Sequence, residues 1–362
     1  MSTVELGLDT FGDFTLGTSG HPFPHAHVLR HVLAEAELAD RLAVDFFGVG
    51  EHHRPDFAIS APEVLLAAIA ARTERIRLGT AVTVLSTDDP VRVYERFSTL
   101  DAISNGRAEV ILGRGSFTES FPLFGYSLED YDDLFEEKLA LLAAIRDADR
   151  TGQPVHWKGT VRPPLEGMRV YPPVERPPLK VWVGVGGSPE SVVRAARYGF
   201  PLTLAIIGGD PRRFAPYVEL YHRALAQLGH PTLPVGVHSP GHIADTDAQA
   251  REELWPHHEV MRNRIGAERG WGPTSRAEFD REIAEGSLYV GSPETVARKI
   301  AATVRALGAS HFDLKYSAGT LRHELLLRSI ELYGREVIPR VRQLLAEAVP
   351  ARAEGGIAAS RM

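Results

Sequence analysis

The sequence of 362 residues contains no cysteine, and this absence removes several kinds of chemistry. Without cysteine the chain can form neither a disulfide framework nor a thiolate metal site, and it has no thiol nucleophile. A G-x-S-x-G motif is also absent, so a serine nucleophile at a strand-to-helix elbow is not indicated. The chemistry of this chain is therefore expected from other side chains.

Long apolar runs and an excess of positive charge are lacking as well. The first residues, MSTVELGLDTFGDF, carry no basic region, and no stretch reaches the roughly 18 apolar residues of a membrane span. The formal net charge of -7 argues against a surface that follows nucleic-acid phosphates. We therefore expect a cytoplasmic protein that acts on small molecules, with no nucleic-acid or membrane partner.

Short apolar runs rich in β-branched residues alternate with longer amphipathic stretches. The runs cover residues 4–8, 45–50, 76–84, 108–113, 180–186, 201–207, 234–243 and 311–317. This alternation is typical of βα units around a parallel sheet. Eight such units predict an α/β fold of the (β/α)8 TIM-barrel class, with its active site on the loops that follow the strands. An open doubly wound sheet is the alternative.

The barrel is predicted to form a single domain over residues 1–349, with two excursions. Residues 150–179 are rich in proline, and we interpret them as a β-hairpin and loop at the edge of the barrel. Residues 244–292 are predicted to add an extra helix before the last strand and are a candidate lid. The small, polar tail at 350–362 is predicted to be disordered.

Two neighbouring strands end in patterns that suit an anion. The run 108–113 ends at Gly113 and is followed by Arg114, whose guanidinium can fork onto a phosphate. The run 180–186 leads into a glycine-rich turn and a helix N-terminus with free N–H groups and hydroxyls. The residues of this second pattern are Gly186, Gly187, Ser188 and Ser191. One phosphate could contact both patterns, and an ordinary turn with a surface arginine is the alternative.

The stretch GVGEHHRPDF, residues 48–57, places a glutamate and two histidines after a short apolar run. Because side chains alternate along a strand, Glu51 and His53 share one side while His52 takes the other. Only one histidine can then face the barrel mouth, and a buried structural histidine is the alternative. The spacing does not match a helical zinc motif, so no metal site is predicted.

Two further segments are candidates for contact with a ligand. In GTAVTV, the small residues Thr80 and Ala81 would allow a flat ring to lie against the backbone, although ordinary barrel packing is the alternative. The aromatic residues of GSFTESFPLFGY, residues 115–126, suit either an apolar pocket or packing.

Five separated segments together resemble the bacterial-luciferase-like family of flavin-dependent monooxygenases, over about residues 4–345. They are FFGVGEHHRPDF, IRLGTAVTVLSTDDPVRVYERFSTLDAISNGR, AEVILGRGSF, VWVGVGGSPESVVRAARYGFPL and SLYVGSPETVARKI. The resemblance implies a barrel of the bacterial luciferase type that binds FMN at the carboxyl ends of its strands, with the FMN reduced by a separate reductase. It also implies that O2 attacks the reduced flavin, and that the resulting C4a-peroxide oxidises a small organic substrate.

The resemblance assigns roles to individual residues. His52 matches the family's catalytic histidine, and Arg114 matches its phosphate-binding arginine. The strand that lies against the flavin ring matches Thr80, Ala81 and Val82, with a cis peptide often found between the second and third of these. The phosphate-binding turn matches Gly187, Ser188 and Ser191.

Two positions depart from the luciferase subunit itself. That subunit has an acidic residue in place of Gly187 and a reactive cysteine in place of Gly113. Both changes alter the surroundings of the flavin, so light emission is not expected.

Relatives usually pair through helices that flank the second and third strands. The segment APEVLLAAIAART, residues 61–73, carries more apolar surface than one barrel face needs, so a homodimer is expected. Two alternative functions remain: hydride transfer with a deazaflavin or flavin, and a non-catalytic flavin-binding barrel or dimer partner.

Overall fold

The computed structural model describes residues 4–17, 20–176 and 178–347. The strands are β1 (Glu5–Thr10), β2 (Phe46–Val49), β3 (Arg77–Thr80), β4 (Thr83–Val84), β5 (Glu109–Gly113), β6 (Val155–Trp157), β7 (Leu165–Met168), β8 (Lys180–Val185), β9 (Leu202–Ala205), β10 (Val235–Ile243), β11 (Tyr289–Gly291) and β12 (His311–Lys315). The helices are α1 (His25–Arg41), α2 (Pro62–Ala70), α3 (Pro90–Ile103), α4 (Ser120–Phe124), α5 (Tyr131–Thr151), α6 (Pro189–Arg197), α7 (Ala215–Gln227), α8 (Asp247–Arg269), α9 (Arg276–Ala284), α10 (Pro293–Leu307), α11 (His323–Leu332) and α12 (Ile338–Glu347).

A parallel sheet closes into a barrel. Its strand order is β3-β2-β1-β12-β10-β9-β8-β5-β4. The chain runs directly from β3 to β4, and a bridge between Leu78 and Ala108 joins β3 to the start of β5, so the two ends of the sheet meet. The predicted (β/α)8 barrel is confirmed, and the open sheet is excluded. The carboxyl ends of the barrel strands and the loops that follow them are called the barrel mouth below.

Alternating side chains of the strands divide between two environments. In β12, Phe312 and Leu314 join the large apolar core. The other side chains of this strand include His311, whose ring lies 5.5 Å from that of Trp182 in a smaller apolar cluster. His311 also pairs with Asp313 at 2.7 Å. The barrel interior therefore contains buried charges among aromatic rings.

The predicted strand over residues 76–84 is interrupted, which corrects the sequence interpretation. β3 pairs with β2 and β4 pairs with β5, and the peptide bond between Ala81 and Val82 is cis, as the resemblance implies. The Thr80 hydroxyl accepts from the Ile111 N–H at 3.3 Å and donates to the Ile111 carbonyl at 3.2 Å. A side chain thus replaces part of the main-chain ladder at this point.

The two excursions take different forms. The first contains the predicted hairpin, in which β6 and β7 pair antiparallel. The second contains α8, α9 and β11, so the expectation of one extra helix was wrong. β11 has only three residues and gains its partner from the end of β10, which a local sequence pattern does not reveal. The tail at 350–362 lies outside the described residues.

The apolar segment at residues 61–73 is largely used within the barrel. Leu65, Leu66 and Ile69 of α2 are buried, whereas Val64 is 73% exposed. The apolar surface left over is therefore smaller than the sequence suggests, and the homodimer stays a prediction. Among the described helices, none combines the length and apolar character needed to cross a bilayer.

Candidate active site at the barrel mouth

Glu51 and His53 hold the loop that follows β2. Glu51 is buried; its Oε2 accepts from the Val84 N–H at 2.8 Å, and its Oε1 lies 2.9 Å from His53 Nε2. These contacts join the loop to β4. The expected side-by-side arrangement of Glu51 and His53 is therefore present, although regular strand structure ends at Val49.

His52 points away from this pair into an aromatic group. Its ring centroid lies 4.6 Å from that of Phe11, 4.5 Å from Phe57 and 5.3 Å from Phe117. Burial among these rings lowers the pKa of His52 to about 3, although the Asp13 carboxylate opposes the shift. The imidazole is neutral near pH 7 and can both donate and accept a hydrogen bond.

The aromatic residues of the 115–126 segment separate into different roles. Phe117 contacts His52, while Phe121 is fully buried and stacks on Tyr131 at 5.4 Å. Phe124 is 49% exposed and lies against His53. Only Phe117 of these three therefore contributes to the wall around His52.

Arg114 and the turn after β8 come together as the sequence predicts. Arg114 Nη2 lies 3.4 Å from Ser191 Oγ, and Ser188 Oγ lies 3.0 Å from the same oxygen. Ser188 is the N-cap of α6, and its side chain accepts from the Ser191 N–H at 3.2 Å. A guanidinium, two hydroxyls and a helix N-terminus thus converge, which is a donor set suited to a phosphate.

The two glycines of this turn have different surroundings. Gly187 has φ +104 and packs against Phe214, so a side chain there would be strained. A Cβ on Gly186 would meet nothing within 4 Å. The space beside Gly186 is therefore open to a ligand.

The residues expected against the flavin ring form a closely packed surface around Val82. A Cβ on Gly113 would lie 2.5 Å from Val82 Cγ2, and one on Gly184 would lie 3.1 Å from Val82 Cγ1. A Cβ on Gly48 would lie 3.3 Å from the Cβ of Ala81. Thr80 is fully buried, and its hydroxyl donates to the Ile111 carbonyl of β5. Close packing of the backbone around Ala81 and Val82 explains why the neighbouring positions are glycines.

Several charged residues of the mouth were not found by sequence reasoning. Asp132 forms an ion pair with Arg114 at 2.7 Å, and Lys315 Nζ lies 2.8 Å from both oxygens of Asp13. His238 Nδ1 lies 2.7 Å from Asp9 Oδ2. A signal did exist in HFDLKYS, because polar residues alternate with apolar ones there, which indicates a strand with one polar face. The partners, Asp9 on β1 and Asp13 after it, are over 200 residues away and have no local signal.

Helix α8 of the second excursion contacts two loops of the mouth. Glu268 accepts from Arg54 at 2.9 and 2.7 Å, and Arg264 pairs with Asp56. Arg54 and Asp56 lie in the loop after β2. Arg269 donates to the Ser116 carbonyl at 3.2 Å in the loop after β5. The candidate lid therefore lies over the mouth. Within residues 4–17, 20–176 and 178–347, no three histidine, aspartate or glutamate side chains are arranged to hold a metal ion.

Comparison with known proteins agrees with this geometry. The family model described as luciferase-like monooxygenase matches residues 10–311. The alkanal monooxygenase alpha chain of Photobacterium leiognathi is 26% identical over 347 residues, which covers 88% of this chain and 95% of that protein. The 4-hydroxyprotoasukamycin monooxygenase of Streptomyces nodosus subsp. asukaensis is 29% identical over 325 residues, which covers 84% of this chain and 85% of that protein.

Solved structures share the fold over nearly the whole chain. Monooxygenase RslO1 from Streptomyces bottropensis has a TM-score of 0.79 and 25% identity, covering 92% of this chain and 99% of that chain. The oxygenating constituent of 3,6-diketocamphane monooxygenase from Pseudomonas putida, in complex with FMN, has a TM-score of 0.73 and 20% identity, covering 94% and 99%. An F420-dependent secondary alcohol dehydrogenase has a TM-score of 0.73 and 16% identity, and the match covers 94% of this chain and 99% of that chain.

The barrel, the converging residues of its mouth and the match over residues 10–311 lead to one conclusion. The chain belongs to the luciferase-like monooxygenases, a family of oxidoreductases.

Proposed function

We propose that this protein is an FMN-dependent monooxygenase that uses reduced FMN and O2 to oxidise a small organic substrate. A separate flavin reductase supplies the reduced FMN, and the enzyme acts as a cytoplasmic homodimer. The observation that carries the proposal is the cluster of Arg114, Ser188 and Ser191 at the N-terminus of α6, in the same barrel mouth as His52.

The phosphate end of the cofactor would be held by this cluster. Arg114 supplies charge, the two serines supply hydroxyls, and the first turn of α6 supplies backbone N–H groups. Charge-assisted hydrogen bonds of this type each contribute about 1.5–3 kcal/mol. The open space beside Gly186 would admit the phosphate, and Val82 would support the ring.

His52 would act where the cofactor and the substrate meet. When bound, the reduced flavin supplies two electrons to O2. The aromatic rings of Phe11, Phe57 and Phe117 form an apolar wall beside His52, which would limit the access of water to the bound cofactor. Because its imidazole is neutral, His52 can hold a proton on one ring nitrogen and accept one on the other.

The comparisons support the oxygenation reaction in this proposal. Both relatives with 26% and 29% identity are named monooxygenases. The diketocamphane enzyme binds FMN, while the F420-dependent alcohol dehydrogenase uses a deazaflavin on the same fold. The choice between FMN and F420 therefore needs a binding experiment.

The test combines binding with turnover. Purified protein is titrated with FMN, riboflavin and F420, and then supplied with FMN, NADH and a flavin reductase across a panel of aldehydes, ketones and aromatic compounds. We expect tighter binding of FMN than of riboflavin, and consumption of O2 beyond that of the reductase alone with at least one substrate. Tighter binding of F420, with F420-dependent reduction of a carbonyl substrate, would support hydride transfer instead. Flavin binding without turnover would support a passive barrel.

A further inference from the structure

A second histidine, His238, lies in the same mouth as His52. It belongs to β10, and its ring lies parallel to that of Phe11, with centroids 6.1 Å apart and an interplanar angle of 15°. Phe11 contacts His52 edge-on at 4.6 Å. The two histidines therefore flank one phenylalanine, and the His238 side chain keeps 13% of its surface exposed.

Asp9 fixes the orientation of this histidine. Its Oδ2 lies 2.7 Å from His238 Nδ1, and the Asp9 side chain has no exposed surface. In the sheet, β12 separates the two residues, with Asp9 aligned to Lys315 and His238 aligned to Asp313. The contact is therefore made across the barrel interior. Because Asp9 occupies Nδ1, the Nε2 nitrogen is the one that can face a ligand.

The charges around His238 come from several elements. Asp9 lies on β1, and Asp313 and Lys315 lie on β12. Asp313 is already paired with His311, and Lys315 is already paired with Asp13. The aligned residue of β9 is the uncharged Ala205. Asp9 is thus the carboxylate that is available to balance a charge on His238.

The pKa values of the two histidines of the mouth are shifted in opposite directions. Burial alone would lower the pKa of His238, but the attraction of the Asp9 carboxylate outweighs burial and raises that pKa above its usual value. His52 has no such carboxylate in hydrogen-bond contact and is neutral. The Asp9 carboxylate therefore stabilises the protonated form of His238, whereas His52 is neutral near pH 7.

We propose that His238, oriented by Asp9, is the proton donor of the barrel mouth in the oxygenation reaction. The inference rests on the proposed function, in which a substrate S reacts with O2 and reduced flavin to give SO, water and oxidised flavin. The O–O bond breaks, one oxygen bonds to the substrate, and the other leaves as water. His238 transfers the Nε2 proton to the departing oxygen and regains a proton that the flavin releases on reoxidation.

The charge assignment can be tested without turnover. Protein labelled with ¹⁵N-histidine is examined by NMR near pH 7, and the His238 signals are identified by their loss in His238→Gln. We expect both ring nitrogens of His238 to carry protons and His52 to be neutral. In Asp9→Asn, His238 should lose its charge near pH 7. A neutral His238 in the wild-type protein would overturn the proposal.

The role in the reaction is tested by the fate of oxygen. We expect His238→Gln to bind FMN within about threefold of wild type, yet to form at least tenfold less product and release more hydrogen peroxide. Asp9→Asn should act in the same direction and shift the pH profile of product formation to lower pH. His242→Gln is the matched control, because His242 lies on the same strand and pairs with Glu253 at 2.8 Å, and it should behave like wild type.

Two outcomes separate this proposal from the proposed function. If wild-type protein forms product and His238→Gln forms it equally well, the proton donor is another group while the monooxygenase assignment stands. If wild-type protein forms no oxygenated product, both the assignment and the proton transfer fail, and the NMR result still decides whether Asp9 holds His238 as a cation.

Discussion

Arg114 Nη2 lies 3.4 Å from Ser191 Oγ, although 77 residues separate them in the chain. The contact joins the loop after β5 to the first turn of α6, because β5 and β8 are neighbours in the barrel. It brings the Arg114 guanidinium to the N-terminus of α6. Both the guanidinium and the helix N-terminus attract an anion.

The phosphate assignment is tested by removing this guanidinium. Arg114→Ala should weaken FMN binding by roughly ten- to a hundredfold, since one charge-assisted contact is lost, worth about 1.5–3 kcal/mol. Riboflavin, which has no phosphate, should be affected far less. Fluorescence quenching measures both affinities. Arg197→Ala, an exposed arginine at the other end of α6, is the control and should change neither. Equal losses for both flavins would contradict the assignment.

Asp132 competes with a phosphate for the same guanidinium. It pairs with Arg114 at 2.7 Å and is 71% exposed, so the pair contributes about 0.2–1 kcal/mol. Asp132→Asn should therefore tighten FMN binding by a factor of about two to five, with no change for riboflavin. Weaker FMN binding in this variant would mean that Asp132 orients Arg114 instead of competing for it.

Much of this geometry could be predicted from the sequence, because it depends on local patterns. The apolar runs give the barrel strands, and Arg114, Ser188 and Ser191 follow the ends of two of them. The parts that sequence reasoning missed depend on distant partners. Asp9 meets His238 only after the barrel closes, and β11 exists only because β10 extends beyond its barrel neighbours. No periodicity within either segment reports such contacts.

Two glycines of the mouth should respond differently to the same substitution. Gly113→Ala places a methyl group 2.5 Å from Val82 Cγ2, so it should cost about 1–3 kcal/mol of unfolding free energy and weaken flavin binding by displacing Val82. Gly186→Ala meets nothing within 4 Å, so it should leave stability unchanged while obstructing the phosphate. Thermal unfolding and FMN titration of both variants measure these effects. A stable Gly113→Ala with normal FMN affinity would show that Val82 can move freely.

The neutral state of His52 makes stability depend on pH. Burial lowers its pKa to about 3 in the folded protein, whereas the unfolded value is about 6.5. Between these values the unfolded state binds the proton, so stability falls as the pH is lowered from about 6.5 towards 3. His52→Gln should lack this contribution. When the pH is lowered from 6.5 to 5, the free energy of unfolding of this variant should therefore fall by about 1–2 kcal/mol less than that of wild type. Urea unfolding at both pH values measures the difference, and parallel losses in the two proteins would contradict a neutral His52.

The two adjacent histidines should have separate effects on catalysis. His52→Asn should keep the fold and most FMN affinity while lowering product formation by about 10²- to 10⁴-fold, the usual contribution of a general acid or base. His53→Asn should act mainly through stability, because His53 supports Glu51 and through it β4. Product yield and melting temperature are measured for both. Normal product formation by His52→Asn, with a stable but inactive His53→Asn, would mean that His53 is the functional histidine.

The most direct test of the central claim follows the oxygen atoms. Protein mixed anaerobically with reduced FMN is exposed to ¹⁸O2 in the presence of the aldehyde, ketone and aromatic panel, and products are analysed by mass spectrometry. We predict one ¹⁸O atom in the product of at least one substrate, with the yield greatly reduced in Arg114→Ala when FMN is subsaturating. Recovery of all the oxygen as hydrogen peroxide at the rate of free reduced FMN, with no labelled product, would contradict the account.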